Sequence, residues 1–242
     1  MLKTSEWVSL GHPDKIADFV SSYLLDRHLE RDARTRYAVE VMIKNNIVTL
    51  GGEVTSQANF TDDELTRHVR DAVNAIGYTR DYQDKWGKEN TICGDELEVY
   101  PLIGRQSPDI DRGVGKAGWG DQGIFFGMAV NSPASAFMPR DHYLARRLGQ
   151  ALFKSGLGGL DIKTLVATSA GRASHVTIAI PLLENAWHDV LVRDLAENVT
   201  GCSDLTLNGT GRYVTHSSVA DCGVTGRKLA VDFYGGNCRI GG

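Results

Sequence analysis

Tyr37-Ala38-Val39-Glu40-Val41-Met42-Ile43-Lys44-Asn45-Asn46-Ile47-Val48-Thr49-Leu50 carries the clearest pattern in the chain. Tyr37, Val39, Val41 and Ile43 alternate with Ala38, Glu40, Met42 and Lys44, the period of a half-buried strand. Asn45-Asn46 supplies the turn, and Ile47–Leu50 returns as a second strand before Gly51-Gly52-Glu53. A helix follows. Thr61 as N-cap with Glu64 three residues on forms a capping box, and Phe60 with Leu65 is spaced as a hydrophobic staple. Leu65, Val69, Val73 and Ile76 continue one apolar stripe to Gly77, a natural stop. The same plan returns downstream. Leu165–Thr168 and Val176–Ile180 frame Ala170-Gly171-Arg172 as a second hairpin, followed by a helix over 184–199 with Trp187, Leu191 and Leu195. Two hairpin-then-helix units predict an α+β fold built by internal duplication.

The other segments read more coarsely. Ile16, Phe19, Val20, Tyr23 and Leu24 recur at helical spacing behind Pro13. Residues 78–97 are polar and read as an irregular excursion. Five glycines from Gly113 to Gly123 exclude a helix interior and mark a ligand-hugging loop. Ile124–Val130 reads as an apolar strand. A helix follows Pro139, with Tyr143, Leu144, Leu148 and Leu152 on one side and Gly156 as its stop. Leu205–Asn208 reads as a strand, 221–228 as a polar loop and Leu229–Tyr234 as a last strand.

Composition narrows the class. The 242 residues are 42% hydrophobic and 23% charged, the balance of a globular protein. A net charge of −4 argues against bulk affinity for nucleic acid or acidic membranes. No window approaches the ~18 apolar residues of a membrane span, and the N-terminus opens no signal-peptide core. Cys93, Cys202, Cys222 and Cys238 lack metal-type spacing, so reduced cytoplasmic thiols are expected.

The chemistry-bearing residues cluster in short motifs. Gly11-His12-Pro13-Asp14-Lys15 puts a base, an acid and a cation at a helix N-terminus, where free N–H groups and the dipole favour an anion. By itself the motif reads equally as a helix start with a solvated charge pair. Asp221-Cys222-Gly223-Val224-Thr225-Gly226-Arg227-Lys228 puts two adjacent cations after two glycines, suited to polyphosphate or to a basic turn in solvent. Asp161-Ile162-Lys163 sets a carboxylate and an ammonium on one face if extended, and alone reads better as a solvated pair. Neither a Walker A loop nor a Rossmann fingerprint occurs. His12 is the one histidine framed for acid–base work. His28, His68, His142, His175, His188 and His216 read as solvated or structural.

Taken in order, these segments resemble one family. Ser5-Glu6, Gly11–Asp18, Gly51-Gly52-Glu53, Gln106-Ser107-Pro108-Asp109-Ile110, Gly120-Asp121-Gln122-Gly123, Thr210-Gly211-Arg212-Tyr213, Asp221–Lys228 and Tyr234-Gly235-Gly236 together resemble S-adenosylmethionine synthetase over nearly the whole chain. The resemblance implies attack of methionine sulfur on ribose C5′ of ATP, with release of triphosphate that is then hydrolysed to diphosphate and phosphate. It implies His12, Lys163, Arg227 and Lys228 as catalytic residues. ATP would be bound by His12, Lys15, Asp121, Asp161, Lys163, Arg212, Tyr213, Asp221, Arg227 and Lys228, and methionine by Glu53, Gln106 and Asp221. Asp14 would hold Mg²⁺ and Glu40 K⁺. The resemblance further implies a cytoplasmic homodimer or dimer of dimers with shared active sites, and α/β domains about a pseudo-threefold axis. The domains would be 1–12 with 124–220, 13–105 with 221–242, and 106–123 as a gating loop opening a third, largely missing one.

Three departures stand out. Leu10 occupies a position usually held by glutamate, and Trp119 one usually held by a small residue. Gly241-Gly242 falls where the family's glycine-rich segment with two further lysines and a second metal-binding aspartate begins. The 242-residue chain is therefore expected to be a fragment or shortened variant, poorly active or inactive in the full reaction, or else a non-catalytic nucleotide-binding or dimer-forming subunit.

Overall fold

The computed structural model describes residues 1–104, 123–183 and 186–241. Its strands form two four-stranded sheets of the same plan. In the first, β1 (Lys3–Val8), β5 (Lys163–Ser169), β6 (Arg172–Ala179) and β7 (Leu205–Leu207) lie in the order β1-β5-β6-β7. In the second, β2 (Arg36–Lys44), β3 (Ile47–Thr55), β4 (Glu98–Gly104) and β8 (Gly223–Val224) lie in the order β4-β3-β2-β8. Each sheet holds an antiparallel hairpin, a later strand parallel to the hairpin's second arm, and a fourth strand antiparallel to its first.

Helices precede and follow each hairpin. Around β2–β3 these are α1 (Pro13–Arg31) and α2 (Asp62–Ile76); α3 (Arg80–Trp86) comes after α2 in the chain. Around β5–β6 they are α4 (Arg140–Ser155) and α5 (Ala186–Thr200), and α6 (Ser217–Ala220) and α7 (Leu229–Asp232) complete the set. The repeat is thus helix, hairpin, helix, parallel strand, a longer unit than the sequence pattern alone discloses.

Each sheet closes its own core, because one face of a hairpin must bury its apolar rows. Val39, Val41, Ile43, Val48 and Leu50 pack with Ile16, Val20 and Leu24 of α1 and Val69 and Val73 of α2. Val166, Val176 and Ile178 pack with Leu144, Leu148 and Leu152 of α4 and with Val192 and Ala196 of α5. The capping box at Thr61 forms, with the Glu64 carboxylate accepting from Thr61 N–H at 2.9 Å, and Gly77 closes α2 at φ 119°. Gly156 likewise ends α4 at φ 64°. On the outer face of the second sheet Met42, Tyr100 and Leu102 are exposed.

Several expectations give way to tertiary context. Ile124–Val130 forms no strand; it is irregular and mostly exposed. Leu229–Tyr234 is not a strand either: its first four residues are α7, with Val231 buried. Periodicity alone cannot separate a short buried helix from a buried strand. Residues 78–97 contain α3, and the polar loop over 221–228 contains β8, which closes the second sheet. The parallel strand β4 also went unread, its exposed face carrying Tyr100 and Leu102. His28, His142 and His216 are buried rather than solvated, at 4%, 1% and 0% exposure. All four cysteines are free thiols. No helix among the described residues is long and apolar enough to cross a membrane.

Candidate active site

The site is built where α1 starts. His12 is its N-cap, extended at φ −66°, with Pro13 as the first helical residue. The imidazole Nδ1 accepts from Asp14 N–H at 3.1 Å. A backbone N–H can only donate, so Nδ1 is bare and the proton of the neutral ring sits on Nε2. Histidine is not a usual cap. Burial, reinforced by the positive charges of Lys163 and Lys228, lowers its pKa to about 3. The ring is therefore neutral at ordinary pH, with Nε2–H as its one donor.

Asp14 is 1% exposed. Its Oδ2 accepts from Lys228 Nζ at 2.7 Å, its Oδ1 accepts from Val224 N–H at 3.0 Å, and Arg227 Nε lies 3.6 Å away. Burial works against ionisation, but the bonds from Lys228 and Val224 hold the carboxyl below its usual range. These contacts exist because β8 lies directly on the start of α1. A Cβ added to Gly223 would stand 2.1 Å from Pro13 O, so only glycine permits that approach.

A second buried carboxylate is linked to His12 through the charges of Lys163 and Asp221, which act on both. Asp161, 2% exposed, closes the turn before β5. Its Oδ2 accepts from Ser217 N–H at 3.1 Å, while Oδ1 is buried with no hydrogen-bond partner among the described residues. Tyr213 O–H donates to its carbonyl at 3.2 Å. Burial raises its pKa to about 6, opposed by the charge of Lys163. The solvated reading of Asp161 and Lys163 is thus overturned for the aspartate. Lys163 remains half-buried at the start of β5, opposite Val8 on β1.

The structure brings His12, Asp14, Asp161, Lys163, Tyr213, Arg227 and Lys228 into one region, with the charge of Asp221 acting on both His12 and Asp161. Asp221 is exposed and its Oδ1 accepts from Cys222 N–H at 2.8 Å. Lys15 turns aside, with Nζ 2.9 Å from Asp232 Oδ2 and 3.1 Å from Asp18 Oδ2. It lines an adjoining cleft of about 410 Å³ with Asp18, Ser21, Ser22, Glu40 and Thr225. There Glu40 accepts a hydrogen bond from the Thr225 hydroxyl. Arg212 is exposed. Glu53 stands apart, opposite Ala38 and beside Gly104, on the outer face of the second sheet. Gln106, Trp119 and Asp121 lie outside the described residues.

Sequence reasoning missed the supporting residues. Tyr78, fully buried, donates its O–H to Gly11 O at 2.6 Å. Tyr82 Oη accepts from Leu160 N–H at 2.9 Å, and Ser9 bonds both Leu160 O and Ile162 N–H. The spacing of Tyr78, Tyr82 and Trp86, four residues apart, is the signal that would have exposed α3 and its inward face.

The buried groups predict a pH profile. His216 has its pKa lowered to about 4 by burial, so the unfolded chain binds its proton first as pH falls. Stability therefore rises with pH from about 4 to about 6.5, and His12 acts in the same sense. Asp161 opposes it, because the folded form keeps its proton up to about pH 6 and loses stability as pH rises through that window. Urea midpoints measured from pH 4 to 7 should rise for the native chain. They should rise more steeply for Asp161→Asn, the difference reaching about 3 kcal/mol.

Comparison with known proteins agrees with this fold. A family model described as the S-adenosylmethionine synthetase N-terminal domain matches residues 1–108. A solved structure described as an unusual S-adenosylmethionine synthetase from Campylobacter jejuni is similar over the whole length. It shares 33% identity, covering 100% of this chain and 67% of that one, at a TM-score of 0.87. The chain belongs to the S-adenosylmethionine synthetase family.

Proposed function

We propose that the site forms S-adenosylmethionine from ATP and L-methionine. The observation that carries the reading is the buried Asp14 carboxylate bracketed by Lys228, Arg227 and a neutral His12, beside a second carboxylate with an unused oxygen. In the first stage the methionine sulfur forms a bond to ribose C5′ as the C5′–O bond breaks, and the electron pair leaves with the triphosphate. Charge grows on the departing oxygen. The Nε2–H of His12 donates to it, and Lys163, Arg227 and Lys228 neutralise the phosphates, a stabilisation that is strongest in a dry, preorganised site. Asp161, with Tyr213 and Asp221, orients the nucleoside end. Water then attacks the triphosphate still held by those cations, giving diphosphate and phosphate.

The donor set suits the metals implied. One buried aspartate oxygen shared with substrate phosphates fits Mg²⁺, which favours few protein ligands. Among the described residues no group of three or more His, Cys, Asp or Glu side chains that could hold a metal ion stands together. Bound there, Mg²⁺ would take charge from the leaving triphosphate. Glu40 would be the residue that holds K⁺, in a cleft whose other oxygens come from Thr225, Asp18, Ser21 and Ser22 and which the Lys15 ammonium shares.

The exposed face with Met42, Tyr100, Leu102 and Glu53 fits a homodimer in which Glu53 serves methionine across the interface. We assign the two sheets to the divisions 1–12 with 124–220 and 13–105 with 221–242. The direct test incubates the chain with ATP, methionine, Mg²⁺ and K⁺, following S-adenosylmethionine and phosphate separately. Slow turnover is expected from the 242-residue chain, and what S-adenosylmethionine and phosphate form should fall together in Lys228→Met. ATP binding with neither product would favour the non-catalytic nucleotide-binding subunit.

A further inference from the structure

Asp161 and the segment that holds it are fastened from behind by a hydrogen-bonded relay belonging to no ligand site. His216 is wholly buried, and its Nδ1 lies 2.6 Å from Val214 O. A carbonyl only accepts, so Nδ1 carries the proton and Nε2 is an acceptor. Tyr82 Oη lies 2.7 Å from Nε2 and therefore donates to it, while its own lone pair takes Leu160 N–H at 2.9 Å. The relay runs from Leu160, through Tyr82 and His216, to Val214.

Its two ends lie in the two segments that meet at Asp161. Leu160 precedes that aspartate. Val214 and His216 sit between Tyr213, which donates to the Asp161 carbonyl, and Ser217, whose N–H donates to Oδ2 of the side chain. Ser217 occupies the left-handed region at φ 59°, a conformation a non-glycine residue keeps only where its surroundings enforce it. The enforcement is visible. Trp86 packs edge-on against His216 with ring centroids 5.0 Å apart, and His216 N–H donates to Asn90 O at 2.9 Å. A Cβ on Gly159 would come within 2.9 Å of Tyr82 Oη, so the turn is drawn tightly onto the phenol.

We propose that Tyr82 and His216 are positioning residues that aim the unpartnered Oδ1 of Asp161 at the nucleoside end of the substrate. This rests on the reading of Asp161 as a nucleotide contact, and the experiment separates the two. Tyr82→Phe removes the hydroxyl and leaves the ring stacked on Trp86. His216→Phe removes the acceptor but keeps the packing, and His216→Gln restores an acceptor. Dissociation constants for ATP and for inorganic tripolyphosphate are measured on the 242-residue chain, each variant being checked by its urea midpoint.

Tyr82→Phe is expected to weaken ATP roughly tenfold, the scale of one well-placed hydrogen bond, with tripolyphosphate unchanged. His216→Phe should match it, and His216→Gln should recover part of the loss. In an Asp161→Asn background Tyr82→Phe should have little further effect, because it acts through that carboxylate. Equal weakening of ATP and tripolyphosphate, or additive losses in the double variant, would overturn the proposal. If Asp161→Asn weakens ATP and neither Tyr82→Phe nor His216→Phe does, positioning fails while the nucleotide reading stands. If Asp161→Asn leaves ATP binding intact, the nucleotide reading fails and takes the proposal with it.

Discussion

Gly11→Ala should lower the stability of the chain by about 3 kcal/mol and pull the candidate site apart. A Cβ at this position would stand 2.3 Å from Leu160 O and 2.4 Å from its carbonyl carbon. Both neighbours are backbone, so relief requires moving a turn rather than rotating a side chain. That turn is tied down: Ser9 grips Leu160 O and Ile162 N–H, and Tyr82 grips Leu160 N–H. Gly11 itself is held by the bond from Tyr78 O–H to its carbonyl. Forcing the two strands of backbone apart separates His12 from Asp161, which follow those contacts by one residue each. Gly51→Ala is the control, since nothing lies within 4 Å of its added Cβ. There the reduced freedom of the unfolded chain is the main effect, a gain of a few tenths of a kcal/mol. Urea unfolding of both variants decides it, and equal midpoints would mean the close approach at Gly11 is not as described.

Lys228→Met carries the second large effect, again about 3 kcal/mol, because it strands a buried charge. Asp14 and Lys228 expose only 2% and 18% of their side chains, so solvent screens the pair little. Val224 N–H remains as a donor, and Arg227 at 3.6 Å is too exposed to replace the ammonium. The companion double variant Asp14→Asn/Lys228→Met should regain most of the loss, since it removes the unpaired charge instead of the interaction alone. In metal-free buffer the single variant should be weakest. Millimolar Mg²⁺ should restore part of its stability, as a cation takes the place of the ammonium beside the carboxylate. Failure of Mg²⁺ to do so, with Asp14→Asn equally indifferent, would remove Asp14 as a metal ligand.

Both effects come from contacts that join distant parts of the chain, which marks the boundary of what local pattern can disclose. The hairpins at 37–50 and 165–180 and the capping box at Thr61 were legible because they depend on neighbours a few residues away. A strand's alternation and a helix's cap are local chemistry, so sequence spacing is enough to state them. The motif Gly11–Asp18 was legible in the same way as a helix start, and its order with the other motifs carried the family. Asp14 and Lys228 were each named, but nothing in their spacing stated that they touch.

Tertiary structure alone decided the rest. Whether Leu229–Asp232 is helix or strand depended on what it packs against, and Ile124–Val130 found no sheet edge to join. His12 reads as a base by residue type, yet its place as an N-cap and its burial make it a neutral donor. Asp161 and Lys163 look like a surface pair at their spacing, yet only the aspartate is buried, because the turns at Gly11 and Ser217 close over it. Sequence determined the two hairpins, the capped helices and the inventory of charges. Long-range backbone approach, permitted at Gly11 and Gly223 by the absence of a side chain, decided which charges share a site and how dry that site is.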